Sequence, residues 1–147
     1  YNSCNPGAVL AVNKAYSRNR RVVTIIDTDV RGGTGCGKVA MIEVAALMIG
    51  DIVQCYSEWM YETPAPLIHG MFLNKGQPKS LFRPGSSVDI LIFENGRVQF
   101  DRDLVENSLK TGIETRFMKG FTRPVVETEI KVRSSIGKAL RQEEIND

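Results

Sequence analysis

A mostly-β α+β fold is what this sequence predicts: a compact sandwich- or barrel-like sheet core carrying one or two short helices. Three observations point to it. Short β-branched runs, such as residues 21–26 and 39–44, recur along the chain, and such runs suit a pleated sheet surface. Glycine-rich and Asn-Gly segments lie between them and supply the backbone freedom of tight connections. Helical signals, by contrast, are confined to short stretches near residues 103–112 and the C-terminal end.

The elements follow in order. Asn5-Pro6-Gly7 and residues 8–16 give mixed signals, a loop leading into a strand or a short helix. Residues 21–26 read as a buried strand. Residues 27–38 contain Gly32, Gly33, Gly35 and Gly37 and read as a flexible hairpin connection. Residues 39–44 and 48–53 look like two strands, with Ala45, Ala46 and Gly50 where backbones approach closely. Pro64 and Pro66 make residues 56–71 a loop or edge segment, and residues 75–78 a turn follows. Residues 87–93 read as a half-buried strand, joined through Asn95-Gly96 to residues 97–100 as a hairpin. Asp103 is placed to cap a short helix, with Glu106 three residues on and Gly112 as its stop. Residues 127–133 read as a further strand, and a charged helix from Gly137 or Lys138 closes the chain.

Length and composition set bounds. The chain has 147 residues, which suits one domain spanning 1–147. A net charge of +2 gives no field strong enough to argue for nucleic acid. Basic residues cluster between Arg116 and Arg141, either as a solvated face or as a weak preference for anionic lipid. Cys4, Cys36 and Cys55 are odd in number and widely spaced, which favours free thiols in a reducing compartment. His69 is the one histidine, so no zinc or other metal site is expected. The longest apolar stretch, 39–53, is interrupted by Glu43 and Asp51 and is shorter than a bilayer span. No signal peptide is expected. Because the chain opens on Tyr1, a fragment or processed product is expected.

Residues 32–38 approach a phosphate-binding loop but fail it chemically. Val39 stands where Ser or Thr would hold magnesium, and the following residues favour a strand over a helix. Nucleotide binding is therefore not expected.

The informative segment is residues 76–93, Gly-Gln-Pro-Lys-Ser-Leu-Phe-Arg-Pro-Gly-Ser-Ser followed by an apolar strand. It resembles the signature of the phosphatidylserine decarboxylase family. Asn19-Arg20-Arg21-Val22-Val23, residues 37–44 and 48–52, residues 98–108 and residues 112–115 resemble other family segments in order and spacing. The resemblance covers most of residues 19–120. It implies that Ser86 attacks the Gly85 carbonyl, and that ester formation, elimination and hydrolysis leave a pyruvoyl group at position 86. Residues 1–85 and 86–147 then become two associated chains. Glycine at 85 leaves the carbonyl open and permits a sharp turn, and a serine hydroxyl needs a base or strain to become nucleophilic. The pyruvoyl ketone would take up the electron pair released with carbon dioxide.

The implied activity is conversion of phosphatidylserine to phosphatidylethanolamine at a membrane surface, with peripheral attachment on the cytoplasmic side. A soluble decarboxylase of aromatic amino acids is the alternative within this chemistry, and an unprocessed β-domain is the alternative outside it. The Asp and His of the family's self-cleavage lie upstream of the matched region. Ser87 and His69 are further candidate contributors. Ser87 stands where many relatives have Thr, and Arg83-Pro84 and Asp51 also depart from the family pattern. Trp59, Met60 and Tyr61 sit in a long loop as aromatic packing over the core or as a lipid-facing or substrate-facing edge.

Overall fold

The computed structural model describes residues 15–47, 50–84, 87–115 and 125–140. Among the described residues, a 3-10 turn over Ala15–Arg18 leads into seven strands and one helix. These are β1 (Arg21–Asp27), β2 (Lys38–Val44), β3 (Asp51–Gln54), β4 (Ser80–Arg83), β5 (Val88–Phe93), β6 (Val98–Phe100), α1 (Arg102–Ser108) and β7 (Gly137–Ala139). The mostly-β expectation holds, and the strands gather into three small antiparallel sheets: β1-β2-β5, β3-β4 and β6-β7.

The central strand is β2. Its apolar residues suit a sheet interior, and it pairs β1 from Arg21↔Val44 to Asp27↔Lys38 and β5 from Val39↔Phe93 to Val44↔Val88. Residues directly opposite share a face. One face therefore carries Val22, Glu43 and Asp89 in a row; the other carries Val23, Ile42 and Ile90 beside Ile25, Ala40 and Ile92. β1 is not the fully buried strand its composition suggests, since Val23 and Ile25 are exposed. Nor is β5 half-buried: it is an edge strand whose Ile90, Leu91 and Ile92 all remain exposed.

The connection from β1 to β2 is held by hydrogen bonds. Thr28 donates its N–H and its hydroxyl to the Gly37 carbonyl, and Arg97 donates to both Asp29 carboxylate oxygens. Lys38 opens a strand, not a helix. The core lies where β2 runs into β3: Val44, Ala45, Ala46, Ile52, Cys55 and Tyr56 are buried. Residues 48–49, part of the strand expected over 48–53, lie outside the described residues, and β3 itself starts at Asp51.

Four expectations are corrected. Asn95-Gly96 does form a turn, with Gly96 at φ 73° and Arg97 N–H bonding the Glu94 carbonyl. However, β6 pairs β7 instead of returning along β5. The cap of α1 is Asp101, without a side-chain cap bond, while Asp103 lies in the first turn, where its charge favours the helix dipole. Residues 127–133 form no strand. The closing helix expected from Gly137 or Lys138 is instead β7, where a Cβ on Gly137 would sit 2.6 Å from the Gln99 carbonyl oxygen. Only glycine lets the two backbones approach so closely. Strand β4 had no signal of its own beyond the motif containing it.

Ile52 exposes only 3% of its surface at the junction of these elements. Ile52→Ala is expected to cost about 2–5 kcal/mol, read as a lower urea midpoint with unchanged denaturant dependence.

Candidate functional site

Strand β4 pairs β3 through Gln54↔Ser80, Val53↔Leu81, Ile52↔Phe82 and Asp51↔Arg83. The Arg83–Pro84 peptide is cis. Gly85 and Ser86 lie outside the described residues, and the chain re-enters β5 at Val88. Residues 85–86 thus connect strands of two different sheets, each fixed by its own ladder.

Where β2 meets the start of β4 lies a buried charged cluster. Glu43 of β2 exposes 2% of its surface and Lys79, just before β4, exposes 8%. Lys79 Nζ donates to Glu43 Oε2 at 2.7 Å and to Gln54 Oε1 at 3.1 Å. Gln54 Nε2 donates to the same Glu43 oxygen at 3.0 Å, and the Ser80 hydroxyl donates to Glu43 Oε1. The Lys79 ammonium also stands 5.4 Å from the centre of the Tyr56 ring, within the range of a cation–π contact. The Lys79 backbone carbonyl accepts from both Cys55 and Tyr56 N–H groups, which fixes where the side chain starts.

Electrostatics follow from this packing. Burial alone would raise the Glu43 carboxyl, but hydrogen bonds from Lys79, Ser80 and Gln54, with the Lys79 charge, hold it below its ordinary value. Asp89, opposite Glu43 on β5, moves the other way. Local desolvation raises it first, the Glu43 charge adds to that, and Lys79 partly offsets both. Asp89 remains solvent-exposed, so its carboxyl is crowded without being buried.

Of the residues expected at the site, Ser87 has a hydroxyl oxygen shielded from solvent, with no hydrogen-bond partner among the described residues. His69 is exposed in the long loop, in a turn closed by Met71 N–H on the Ile68 carbonyl. Trp59 exposes 78% of its surface, so it does not pack over the core. With Met60 it forms one wall of a groove of about 550 Å³, whose other wall is residues 74–78. Glu43, Lys79, Gln54, Ser80 and Asp89 were not singled out from the sequence. The available signal was Glu43 itself, a carboxylate among Val39, Ala40, Met41, Ile42 and Val44; a charge in an apolar run is buried only when paired.

Two outcomes follow. Glu43→Leu, which strands the Lys79 charge, is expected to cost about 3–5 kcal/mol, and the double variant Glu43→Leu/Lys79→Met to recover most of it; urea unfolding measures both. In acid, the folded Glu43 value lies below its ordinary 4.5. The stability it contributes is therefore present above that pH and lost as pH falls through the folded value. Asp89, raised above 3.8, favours the folded state below that pH and loses this contribution as pH rises through its folded value. Thermal melts across pH 2–6, a range chosen to span roughly both carboxyls, should show a weaker acid-side loss for Glu43→Gln and a gain at the upper end for Asp89→Asn.

The chain matches the family described as Phosphatidylserine decarboxylase over residues 1–119. It is 33% identical over 120 residues to a phosphatidylserine decarboxylase proenzyme of Ruminiclostridium cellulolyticum, covering 82% of this chain and 34% of that protein. Against the Chlamydia caviae proenzyme it is 33% identical over 141 residues, covering 95% of this chain and 37% of the relative. The Chlamydia muridarum proenzyme is 36% identical over 107 residues, covering 73% and 30%. The chain spans about a third of the length of the curated relatives it matches. No solved structure matches it.

Proposed function

Because the chain belongs to the phosphatidylserine decarboxylase family, we propose that it is the processing-site portion of a pyruvoyl-dependent enzyme converting phosphatidylserine to phosphatidylethanolamine and carbon dioxide. In this reading residues 1–147 are one partial catalytic domain, cut between Gly85 and Ser86 into 1–85 and 86–147.

One observation carries the reading: the Gly-Ser pair bridges the ends of β4 and β5, which belong to different sheets. Cutting there breaks no ladder. The new carboxyl end stays on β3 through four paired positions, and the new amino end stays on β2 through six. A serine-derived group at 86 would be attached through Ser87 to the β5 backbone.

The residues present fit a pyruvoyl group on one count. The Ser87 hydroxyl is shielded and unpartnered among the described residues, and a buried donor without an acceptor is costly unless something arrives to accept from it. A carbonyl on the neighbouring residue is such an acceptor, and Ser87 is the residue that would orient it. The group supplies an electron sink that no ordinary side chain offers. What this chain adds is attachment, through β5 and its pairing with β2.

A peripheral membrane contact belongs to the same proposal. Trp59, Met60, Tyr61, Leu67, Ile68 and Phe72 are exposed in one loop, and amphipathic rings favour the headgroup level. Among the described residues no helix is long and apolar enough to cross a membrane.

The test is an intact mass of the whole proenzyme beside its Ser86→Ala variant. Wild type is expected as two pieces divided before residue 86. The downstream piece should be lighter by one ammonia than a serine-initiated peptide, while the variant stays whole. A single uncut wild-type chain would overturn the reading.

A further inference from the structure

The buried cluster around Glu43 lies outside the bond proposed to be cut, yet it bonds the outgoing leg of the segment that carries that bond and stands opposite the returning leg in the sheet. On the outgoing leg, the Ser80 hydroxyl donates to Glu43 Oε1, and Lys79, one residue earlier, is ion-paired to Oε2. On the returning leg, Asp89 stands directly opposite Glu43 in the β2–β5 register. Residues 85–86 fall between Ser80 and Asp89 along the chain. Four strand residues rise only about 13 Å at the usual ~3.3 Å each. A lateral shift at Ser80 is therefore transmitted along a short, stiff strand to the connection beyond Pro84.

β4 has no backbone pairing with β2 or β5. The polar contacts of Glu43 supply a direct tie between the sheet holding the outgoing leg and the sheet holding the returning one. An apolar contact at the same place would be non-directional and would tolerate sliding. A carboxylate receiving Lys79, Gln54 and Ser80 at once tolerates little, because each displaced donor loses a buried charge-assisted bond.

The arrangement also carries a cost that simple stability does not explain. A second carboxylate, Asp89, is set against Glu43 where like charges directly opposite are destabilising. Local conflicts of this kind concentrate at functional sites.

We propose that Glu43 is a positioning residue for the self-cleavage, fixing β4 to β2 so that the two strand ends flanking residues 85–86 keep one separation. This rests on the reading of Ser86 above. Glu43 does not touch the reacting atoms in this account; it acts through Ser80 and Lys79.

The experiment follows splitting of the whole proenzyme with time, for wild type, Glu43→Gln and Ile52→Ala. Ile52 is buried beside the cluster without joining its hydrogen bonds, so Ile52→Ala reports what lost stability alone does. Rates are compared at temperatures equally far below each melting midpoint. Glu43→Gln is expected to split roughly ten- to a hundredfold more slowly, the scale on which a misplacement of about 1 Å acts, while Ile52→Ala keeps close to the wild-type rate. Should Glu43→Gln fail to fold by circular dichroism, Ser80→Ala decides. It keeps the ion pair and is expected to slow splitting in the same direction. Equal rates in wild type and Glu43→Gln, or equal slowing in Ile52→Ala, would overturn the proposal while leaving Ser86 in place. A wild type that never splits removes the reading of Ser86 and this proposal together.

Discussion

The Glu43–Lys79 ion pair is the interaction on which the arrangement of the chain turns. It joins the β1-β2-β5 sheet to the β3-β4 sheet at a point where, among the described residues, no backbone ladder connects them. Its side chains are 3% and 9% exposed, so neither charge is relieved by water. A buried pair gains little over well-packed apolar residues, but removing one member leaves a charge with nowhere to go. The cluster therefore behaves as a specification: β4 sits where the carboxylate can be satisfied, and other placements leave it orphaned. Gln54 and Ser80, opposite each other in β3 and β4, complete the shell and make the register of that small sheet depend on Glu43 as well.

Much of the fold was legible in local chemistry. β1, β2 and β5 announced themselves through β-branched runs, and the long proline-bearing loop through Pro64 and Pro66. What local chemistry did not contain was pairing. Asn95-Gly96 makes its turn, as its residue types require, but partner choice for β6 is settled by β7, some forty residues away in sequence. Gly137 had read as the start of a helix because its neighbours are charged. It lies in a strand because another backbone comes too near for a side chain, a fact that only tertiary structure contains.

The site divides in the same way. Its proposed chemistry was readable at Gly85-Ser86 from an ordered set of flanking segments, since a motif is a local object. Its support was not. Glu43 and Lys79 are 36 residues apart; the apolar run around Glu43 signals that it needs a partner, but nothing local identifies Lys79 as that partner. Ser87 was singled out for its position; the shielding of its hydroxyl is a tertiary property.

A connection that is to be cut imposes demands that an ordinary turn does not. Before cutting, the segment must be held firmly enough for a hydroxyl to reach a carbonyl, since proximity and orientation supply most of what such a step needs. After cutting, both ends must remain, because loss of either disperses the site. A tight hairpin between two neighbouring strands would meet the first demand and strain the second, as the pieces would share one ladder. Here each end has its own sheet, β3 for one and β2 for the other. If the chain is cut as proposed, the side chain of Glu43 would keep the two sheets in one relation where the peptide no longer does.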